Sequence, residues 1–178
     1  GSGIVGDILR DYVILSRYPI DIYVYKGSYP PKRILRNSLL IGISHSGNTR
    51  ETIEMVKYGS KYSREIVVVT SGGKLADYAD DNKWIKVVIK PALAPRAGLP
   101  QMIGSTLKLL SKSLRIGKKV MRASNKLSKE IIKINLSRRY NEAYKYAKSI
   151  WGSIPIFYGK EGYKGVLHRI KSSFNENS

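Results

Sequence analysis

Three hydroxyl side chains lie close together between Ser44 and Thr49. The segment reads Ser-His-Ser-Gly-Asn-Thr and directly follows an apolar run at 39–43. Hydroxyl groups and the free amides of a helix N-terminus both donate to anions, so Ser44, Ser46 and Thr49 can converge on one phosphate. Gly47 lets the backbone approach such a group closely. The pattern fits an anion site, and a plain polar turn in which Asn48 caps the next helix fits the same spacing equally well.

The elements that carry this loop are predicted to form an α/β fold with a parallel sheet flanked by helices, because strand-like and helix-like runs alternate. Two runs, 39–43 and 66–69, are continuously apolar, as expected of strands covered on both faces. In such sheets ligands lie at the carboxyl ends of the strands, where the loop would fall. The strands are predicted at 21–25, 39–44, 65–70 and 84–89.

The helices of this region are predicted from caps and from apolar spacing. Asn48 and Glu51 resemble a capping box, which predicts a helix from the loop to about Tyr62. A short helical turn is expected at 75–78. Apolar residues within 99–110 fall on one helical face, so this stripe is predicted to be core.

A domain boundary is predicted near 117–124, where the pattern changes to a basic connector. Beyond it we predict a long helix over 126–150, a strand over 154–158 and a helix over 163–174. A piece of about 55 residues buries too little surface to close a doubly wound domain. We therefore expect one domain over residues 1–120 and the first part of a second, similar domain over residues 121–178.

The net charge of +19 is unevenly distributed along the chain. Residues 91–178 hold 18 basic and 4 acidic side chains, a balance of +14. Clustered Lys and Arg are typical of nucleic-acid binding, but a basic surface also concentrates small anionic substrates. No RNA-binding motif of aromatic residues and glycines and no zinc finger accompanies the charge, so specific nucleic-acid recognition is not expected.

The composition argues against several other classes of function. Cysteine is absent and only His45 and His168 offer imidazole, so a metal enzyme is not expected and no cofactor is predicted. No apolar run approaches the roughly 18 residues of a membrane-spanning helix and no secretory signal is recognisable, so we expect a cytoplasmic protein without membrane contact. Gln101 is the only glutamine, cysteine is absent, and Lys, Arg, Ile and Tyr are abundant. This balance of residue types suits a thermophilic source.

Four segments resemble motifs of one protein family. Ser-x-Ser-Gly-Asn-Thr-x-Glu-Thr after a hydrophobic strand resembles the phosphate loop of sugar isomerase (SIS) domains, and residues 1–7 resemble their first strand-to-helix turn. Pro-Arg-Ala-Gly-Leu-Pro at 95–100 and Asn-Glu-Asn at 175–177 are similar to motifs of archaeal bifunctional phosphoglucose and phosphomannose isomerases. The four matches follow the family order along nearly the whole chain.

This resemblance implies a flavodoxin-like three-layer sandwich and an aldose–ketose isomerase. Its substrates would be glucose 6-phosphate and mannose 6-phosphate, each interconverted with fructose 6-phosphate through a cis-enediolate. The residues that would bind the sugar phosphate are Gly1, Ser2, Ser44, Ser46 and Thr49. Glu176 would be the catalytic base and Arg96 would lie beside the reacting carbons. Both residue types suit these roles, because a carboxylate can move the proton and a guanidinium stabilises the enediolate.

The sequence departs from the family pattern in its histidines and in a lysine. In such isomerases a catalytic His lies beyond the position that corresponds to Glu176, and a catalytic Lys lies near the end of the chain. The 178 residues contain neither of these two residues. The chain is therefore expected to bind substrate but to turn it over slowly. His168 precedes Glu176 and is expected to be an ordinary helix histidine. His45 stands where relatives often have Tyr, and we expect it to be a variable wall of the loop.

Two further functions fit parts of the sequence. A sugar-phosphate sensor or regulatory module would keep the loop and lose turnover, and an intact downstream His and Lys would argue against it. A basic nucleic-acid-binding protein would need the charge of the later half to form one continuous stripe. The isomerase family pairs two domains per chain and dimerises, so a homodimer is expected under the preferred hypothesis.

Overall fold

The computed structural model describes residues 2–94, 96–114, 116–134 and 141–177. Within them, the strands β1 (Leu39–Ile43), β2 (Glu65–Thr70) and β3 (Ile85–Val88) form a parallel sheet in that order. The helices are α1 (Ile4–Ser16), α2 (Lys32–Leu35), α3 (Arg50–Gly59), α4 (Gly73–Asp81), α5 (Leu99–Leu114), α6 (Gly117–Lys133), α7 (Glu142–Ile150) and α8 (Lys164–Asn177). The predicted α/β class with a parallel sheet is confirmed.

The central strand β2 separates two apolar clusters. Successive side chains of a strand point to opposite faces, so Val68 and Val69 belong to different layers. Val68 packs with Val56 of α3 and Leu75 of α4, whereas Val69 packs with Val5 of α1. Helix α5 covers the second face through an apolar stripe, as predicted. That stripe consists of Leu99, Met102, Ile103 and Leu107. Both faces are therefore covered, which explains the continuous apolar runs of β1 and β2.

The parallel register brings the carboxyl ends of the strands to one edge of the sheet. Pairing continues past the strands, because Ser44 N–H donates to Val69 O at 3.1 Å and Ser71 N–H donates to His45 O at 3.0 Å. On the other side of β2, Ile89 N–H donates to Thr70 O at 2.9 Å. The loop after β1 and the turn after β2 are thus held side by side.

Two of the predicted strands are wrong. Residues 21–25 form no strand, although Ile22 packs into the cluster on the α1 face. Residues 154–158 form no strand either, and Ile154 and Tyr158 are 92% and 90% exposed. Apolar runs of this length report burial or β-propensity, but a strand also needs a neighbour for its backbone hydrogen bonds.

Some predicted helix boundaries are also corrected. The first helix after the loop ends at Gly59 rather than near Tyr62, and its N-cap is Thr49 rather than Asn48. The short turn predicted at 75–78 is the longer helix α4. Of the single helix predicted over 126–150, α6 ends at Lys133 and α7 begins at Glu142, whereas residues 135–140 lie outside the described residues.

Contacts divide the chain into two compact units. The first comprises residues 1–109 and 159–178, and the second comprises residues 110–158. This grouping differs from the predicted division at residue 120, because the C-terminal helix α8 joins the first unit. The interpretation of 121–178 as the beginning of a second SIS-like domain stays a prediction.

Helix α8 joins the first unit by packing along α1. Gly165 N–H donates to the buried carboxylate of Asp11 at 2.5 Å, and a Cβ at Gly165 would lie only 2.7 Å from the Ile8 nitrogen. Glycine therefore permits the close approach of the two helices.

In the second unit, Asn141 caps α7 by accepting from Tyr144 N–H at 2.8 Å. Among the helices that the structure describes, none combines the length and the apolarity of a membrane span.

Candidate functional site

The serine-rich loop connects β1 to α3 and is built around the hydroxyl of Ser44. Ser44 is buried, and its Oγ lies 2.9 Å from Thr49 Oγ1. The same oxygen accepts from Gly47 N–H at 3.2 Å. Ser46, in contrast, is exposed, and its Oγ accepts from Asn48 N–H at 3.2 Å. The loop therefore has an inner hydroxyl that shapes it and outer hydroxyls, on Ser46 and Thr49, that are available to a ligand.

Gly47 allows the loop to turn against the neighbouring strand end. Its φ is +68°, a left-handed conformation that favours glycine. A Cβ at this position would overlap Gly72 O and would lie 2.7 Å from Thr70 Oγ1. Gly47 O also accepts from Leu75 N–H at 2.9 Å. Conformation and space both exclude a side chain here.

Asn48 fastens the loop to the start of α4 instead of capping α3. Its Oδ1 accepts from Lys74 N–H at 3.1 Å. The N-cap of α3 is Thr49, whose side chain makes no hydrogen bond to the helix amides. The first amides of a helix lack intrahelical partners, so those of α3 remain available to an anion that contacts the loop.

Ser2 reaches the loop from the turn before α1. Its Oγ accepts from His45 N–H at 3.1 Å, across 43 positions of sequence. The Ser2 hydroxyl keeps its own proton for a further acceptor. Gly1, the other residue of this turn in the predicted phosphate site, lies outside the described residues.

The predicted catalytic pair lies side by side in the first unit. Arg96 Nη1 is 3.6 Å from Glu176 Oε2, and the two side chains are 49% and 43% exposed. Arg96 stands just before α5 and Glu176 stands in the last turn of α8. Folding thus joins two groups that are far apart in the sequence, and it leaves both of them accessible.

Contacts between loops connect this predicted catalytic pair to the serine-rich loop. Gly98 lies two residues after Arg96, and a Cβ on Gly98 would lie 2.5 Å from His45 Nε2. The turn that carries Arg96 therefore rests on the imidazole between Ser44 and Ser46. All four segments that resemble family motifs meet in the first unit, and the roles assigned to their residues stay predictions.

Arg50 is the first residue of α3 and lies beside the loop, but its guanidinium pairs with Glu54 one turn further along the helix. Arg50 Nε donates to Glu54 Oε1 at 2.7 Å. This bond, with a second one from Ser28, holds the pKa of the Glu54 carboxyl below its usual value. The hydrogen bond and the charge of Glu54 raise the pKa of Arg50. Arg50 is exposed and Glu54 is half-buried, and their pairing turns the guanidinium toward Glu54.

Two features of the site were missed by sequence reasoning. His45, interpreted as a variable wall, is buried, and its Nε2 is unpaired among the described residues. Ser71, at the end of β2, donates from Oγ to His45 O at 2.6 Å. The turn Thr-Ser-Gly-Gly at 70–73 was the available signal, since parallel strands end at the same edge. The described residues hold no cluster of His, Asp and Glu suited to a metal ion.

Comparison with known proteins gives a consistent set of relatives, although no protein-family model matches the chain. A bifunctional phosphoglucose/phosphomannose isomerase of Pyrobaculum calidifontis is 33% identical over 178 residues, which are 100% of this chain and 53% of that protein. The isomerase of the same name from Caldicellulosiruptor bescii is 30% identical over 189 residues, covering 100% of this chain and 54% of its own length. The chain thus spans about half the length of the curated relatives it matches.

A solved structure supports the fold independently. The chain is similar to the tagatose-6-phosphate ketose/aldose isomerase from Escherichia coli, with a TM-score of 0.57 and 15% sequence identity. The match covers 94% of this chain and 48% of that protein. At this identity the likeness concerns the fold alone.

The parallel sheet between two helical layers, with the serine-rich loop at its carboxyl edge, has the fold of the solved sugar isomerase, so the chain has the fold of a sugar isomerase (SIS) domain. Within this class, the chain belongs with the bifunctional phosphoglucose/phosphomannose isomerases. It is homologous to them over its whole length and corresponds to about half of each.

Proposed function

We propose that the protein is an aldose–ketose isomerase that interconverts glucose 6-phosphate and mannose 6-phosphate with fructose 6-phosphate. The observation that carries this proposal is the pairing of Arg96 with Glu176 at 3.6 Å. This pair is connected through Gly98 to a hydroxyl-lined helix start. The names of the relatives supply the substrate class.

The phosphate binds to the loop after β1. Ser46, Thr49 and the first amides of α3 donate to it, and Ser44 supports the loop from within through its bonds to Gly47 and Thr49. Ser2 contributes a hydroxyl from the first turn, and Gly1, by the family resemblance, belongs to the same phosphate site. A phosphate seated in this way fixes one end of an open-chain sugar.

Proton transfer takes place at the other end of the sugar. The Glu176 carboxylate removes the C2 proton of the aldose and returns it to C1, which needs one base positioned over both carbons. In the same conversion the hydroxyl proton on the C2 oxygen passes to the C1 oxygen, so that the ketose forms. The negative charge of the cis-enediolate develops on the oxygens of C1 and C2. Arg96 provides a guanidinium that is already in place for this charge. This chemistry requires neither a metal nor an organic cofactor, and we propose a cytoplasmic homodimer as the working form.

Exchange of the C2 hydrogen with deuterated water, followed by NMR, tests the proposal. Binding and exchange are measured on the 178-residue chain and on the longest form produced from its own gene. In the longer form, Glu176→Gln keeps the shape and removes the base, so exchange should slow by roughly 100- to 10,000-fold while substrate affinity changes little. Glu161→Gln changes an exposed carboxylate near the start of α8 and should leave the rate unchanged.

Two results would contradict this mechanism. Equal exchange rates in the wild type and in the Glu176→Gln variant, measured in parallel, would place the base elsewhere. Tight binding of fructose 6-phosphate without exchange in any form of the protein would instead support the regulatory module.

A further inference from the structure

His45 is held in place more firmly than a variable wall of the loop requires. The residue is only 7% exposed. Its backbone N–H donates to Ser2 Oγ at 3.1 Å, and its carbonyl oxygen accepts from the N–H of Ser71 at 3.0 Å and from the Ser71 hydroxyl at 2.6 Å. Both backbone groups are therefore fixed to neighbouring loops, and burial of the residue limits the space that is open to the imidazole.

The imidazole occupies the space that a side chain at position 98 would need. A Cβ on Gly98 would overlap His45 Cδ2 and would lie 2.5 Å from Nε2. The φ of Gly98 lies outside the left-handed region, so its backbone would accept alanine. The glycine is therefore required by the neighbouring ring and not by the turn itself.

The same turn determines where Arg96 stands. Met102 N–H donates to Gly98 O at 3.0 Å, and Leu99 N–H donates to Arg96 O at 3.4 Å. The residues from Arg96 to Gly98 thus lead directly into α5. A shift of Gly98 away from the ring would move Arg96 with it, and the distance to Glu176 would change.

A polar imidazole is an unusual side chain for a buried position where the side chain only fills space. His45 Nε2 is buried and has no partner among the described residues. An unpaired buried nitrogen costs stability, and an apolar side chain would avoid that cost. We propose that His45 is a positioning residue that seats the turn 96–98, and thereby Arg96, against the phosphate loop. This inference rests on the proposed function, because Arg96 must act on the sugar.

A double-mutant cycle tests the proposal with His45→Ala, Gly98→Ala and the double variant. His168→Ala, an exposed histidine, and Gly104→Ala, a helix position with open space around it, are the matched controls. Thermal unfolding of each protein reports whether it folds. Alanine at 98 collides with the ring only when the ring is present, so the double variant should lose less stability than the two single losses combined.

Two ligands separate positioning from folding. Inorganic phosphate probes the loop alone, and a phosphorylated sugar acid, whose carboxylate carries a charge like that of the enediolate, probes Arg96 as well. We expect His45→Ala to change the affinity for phosphate less than about threefold and to lower the affinity for the sugar acid about tenfold or more. A tenfold loss is the size of effect expected when one contact to a charged group is lost. Gly98→Ala should act in the same way, and the double variant should recover part of the loss.

The outcomes distinguish this inference from the proposed function. If the wild type binds neither ligand, the proposed function fails, and the unfolding cycle alone then decides whether ring and turn are coupled. Strictly additive losses of stability would overturn the positioning role. Equal weakening of both ligands, or no change in the sugar acid, would also overturn it while the isomerase proposal stands.

Discussion

At the scale of single residues, the loop has one buried hydroxyl, on Ser44, and two exposed hydroxyls that we propose bind the ligand. Ser44 is buried and already bonded to Gly47 and Thr49, so its removal would distort the loop as a whole. Ser46 and Thr49 are exposed at the start of α3. Ser46→Ala therefore tests phosphate binding without touching the inner contacts of the loop, whereas Thr49→Ala also removes the contact with Ser44 Oγ.

Replacing Ser46 or Thr49 by Ala should weaken fructose 6-phosphate binding by roughly 10- to 100-fold. The reason is that a hydrogen bond to a charged group contributes about 1.5 to 3 kcal/mol, and about 1.4 kcal/mol is a factor of ten. Calorimetry measures the affinities. Ser60→Ala is the control, because its hydroxyl donates to Lys57 O at the other end of α3. Unchanged affinity in both test variants would show that the loop does not bind the phosphate.

At the scale of elements, we expect replacement by alanine to have opposite effects on stability at two glycines. Gly47→Ala forces a side chain into a left-handed turn and against Gly72 O, so it should destabilise the protein by several kcal/mol or prevent folding. Gly104→Ala lies in α5 with open space around it and should stabilise by about 1 kcal/mol. Denaturant unfolding measures both. A tolerated alanine at 47 would contradict the packing of the loop against β2.

The contact of α8 with α1 gives a second prediction at this scale. Asp11→Ala leaves the buried Gly165 N–H unpaired, so we expect a loss of roughly 1 to 3 kcal/mol and faster amide exchange in α8. Asp21→Ala, an exposed aspartate, is the control. Because Glu176 belongs to α8, the Asp11 variant should also slow C2 exchange. Unaltered protection of α8 would show that other contacts hold the helix.

The sequence predicted those elements whose signals are local. Continuous apolar runs identified β1 and β2, and the hydroxyls with Gly47 identified the loop. The segment at 21–25 was misread because local apolarity does not show whether a neighbouring strand is available. The return of α8 onto α1 depends on contacts such as Gly165 with Asp11, which join positions 154 apart. Spacing alone could not place Glu176 beside Arg96, and only the family resemblance suggested it.

At the scale of the whole molecule, charge is concentrated in the second unit. Residues 110–158 contain 12 basic and 2 acidic side chains. Most of the described side chains of α6 are exposed, including Lys118 and Lys126. Such a surface attracts any polyanion, and it also raises the local concentration of small anions such as sugar phosphates. The two consequences differ in their dependence on salt and on base sequence.

Binding of this protein to DNA should be nonspecific and should collapse with salt. Counterion release makes the logarithm of affinity fall linearly with the logarithm of salt concentration, with a slope of about 0.9 per neutralised phosphate. Fluorescence anisotropy on two duplexes of unrelated sequence should give the same affinity, falling steeply between low and physiological salt. Lys118→Gln with Lys126→Gln should reduce the slope by up to about 2, whereas Lys74→Gln in the first unit serves as a comparison. A preference for one duplex that persists at high salt would require base contacts and would favour a nucleic-acid-binding function over the isomerase.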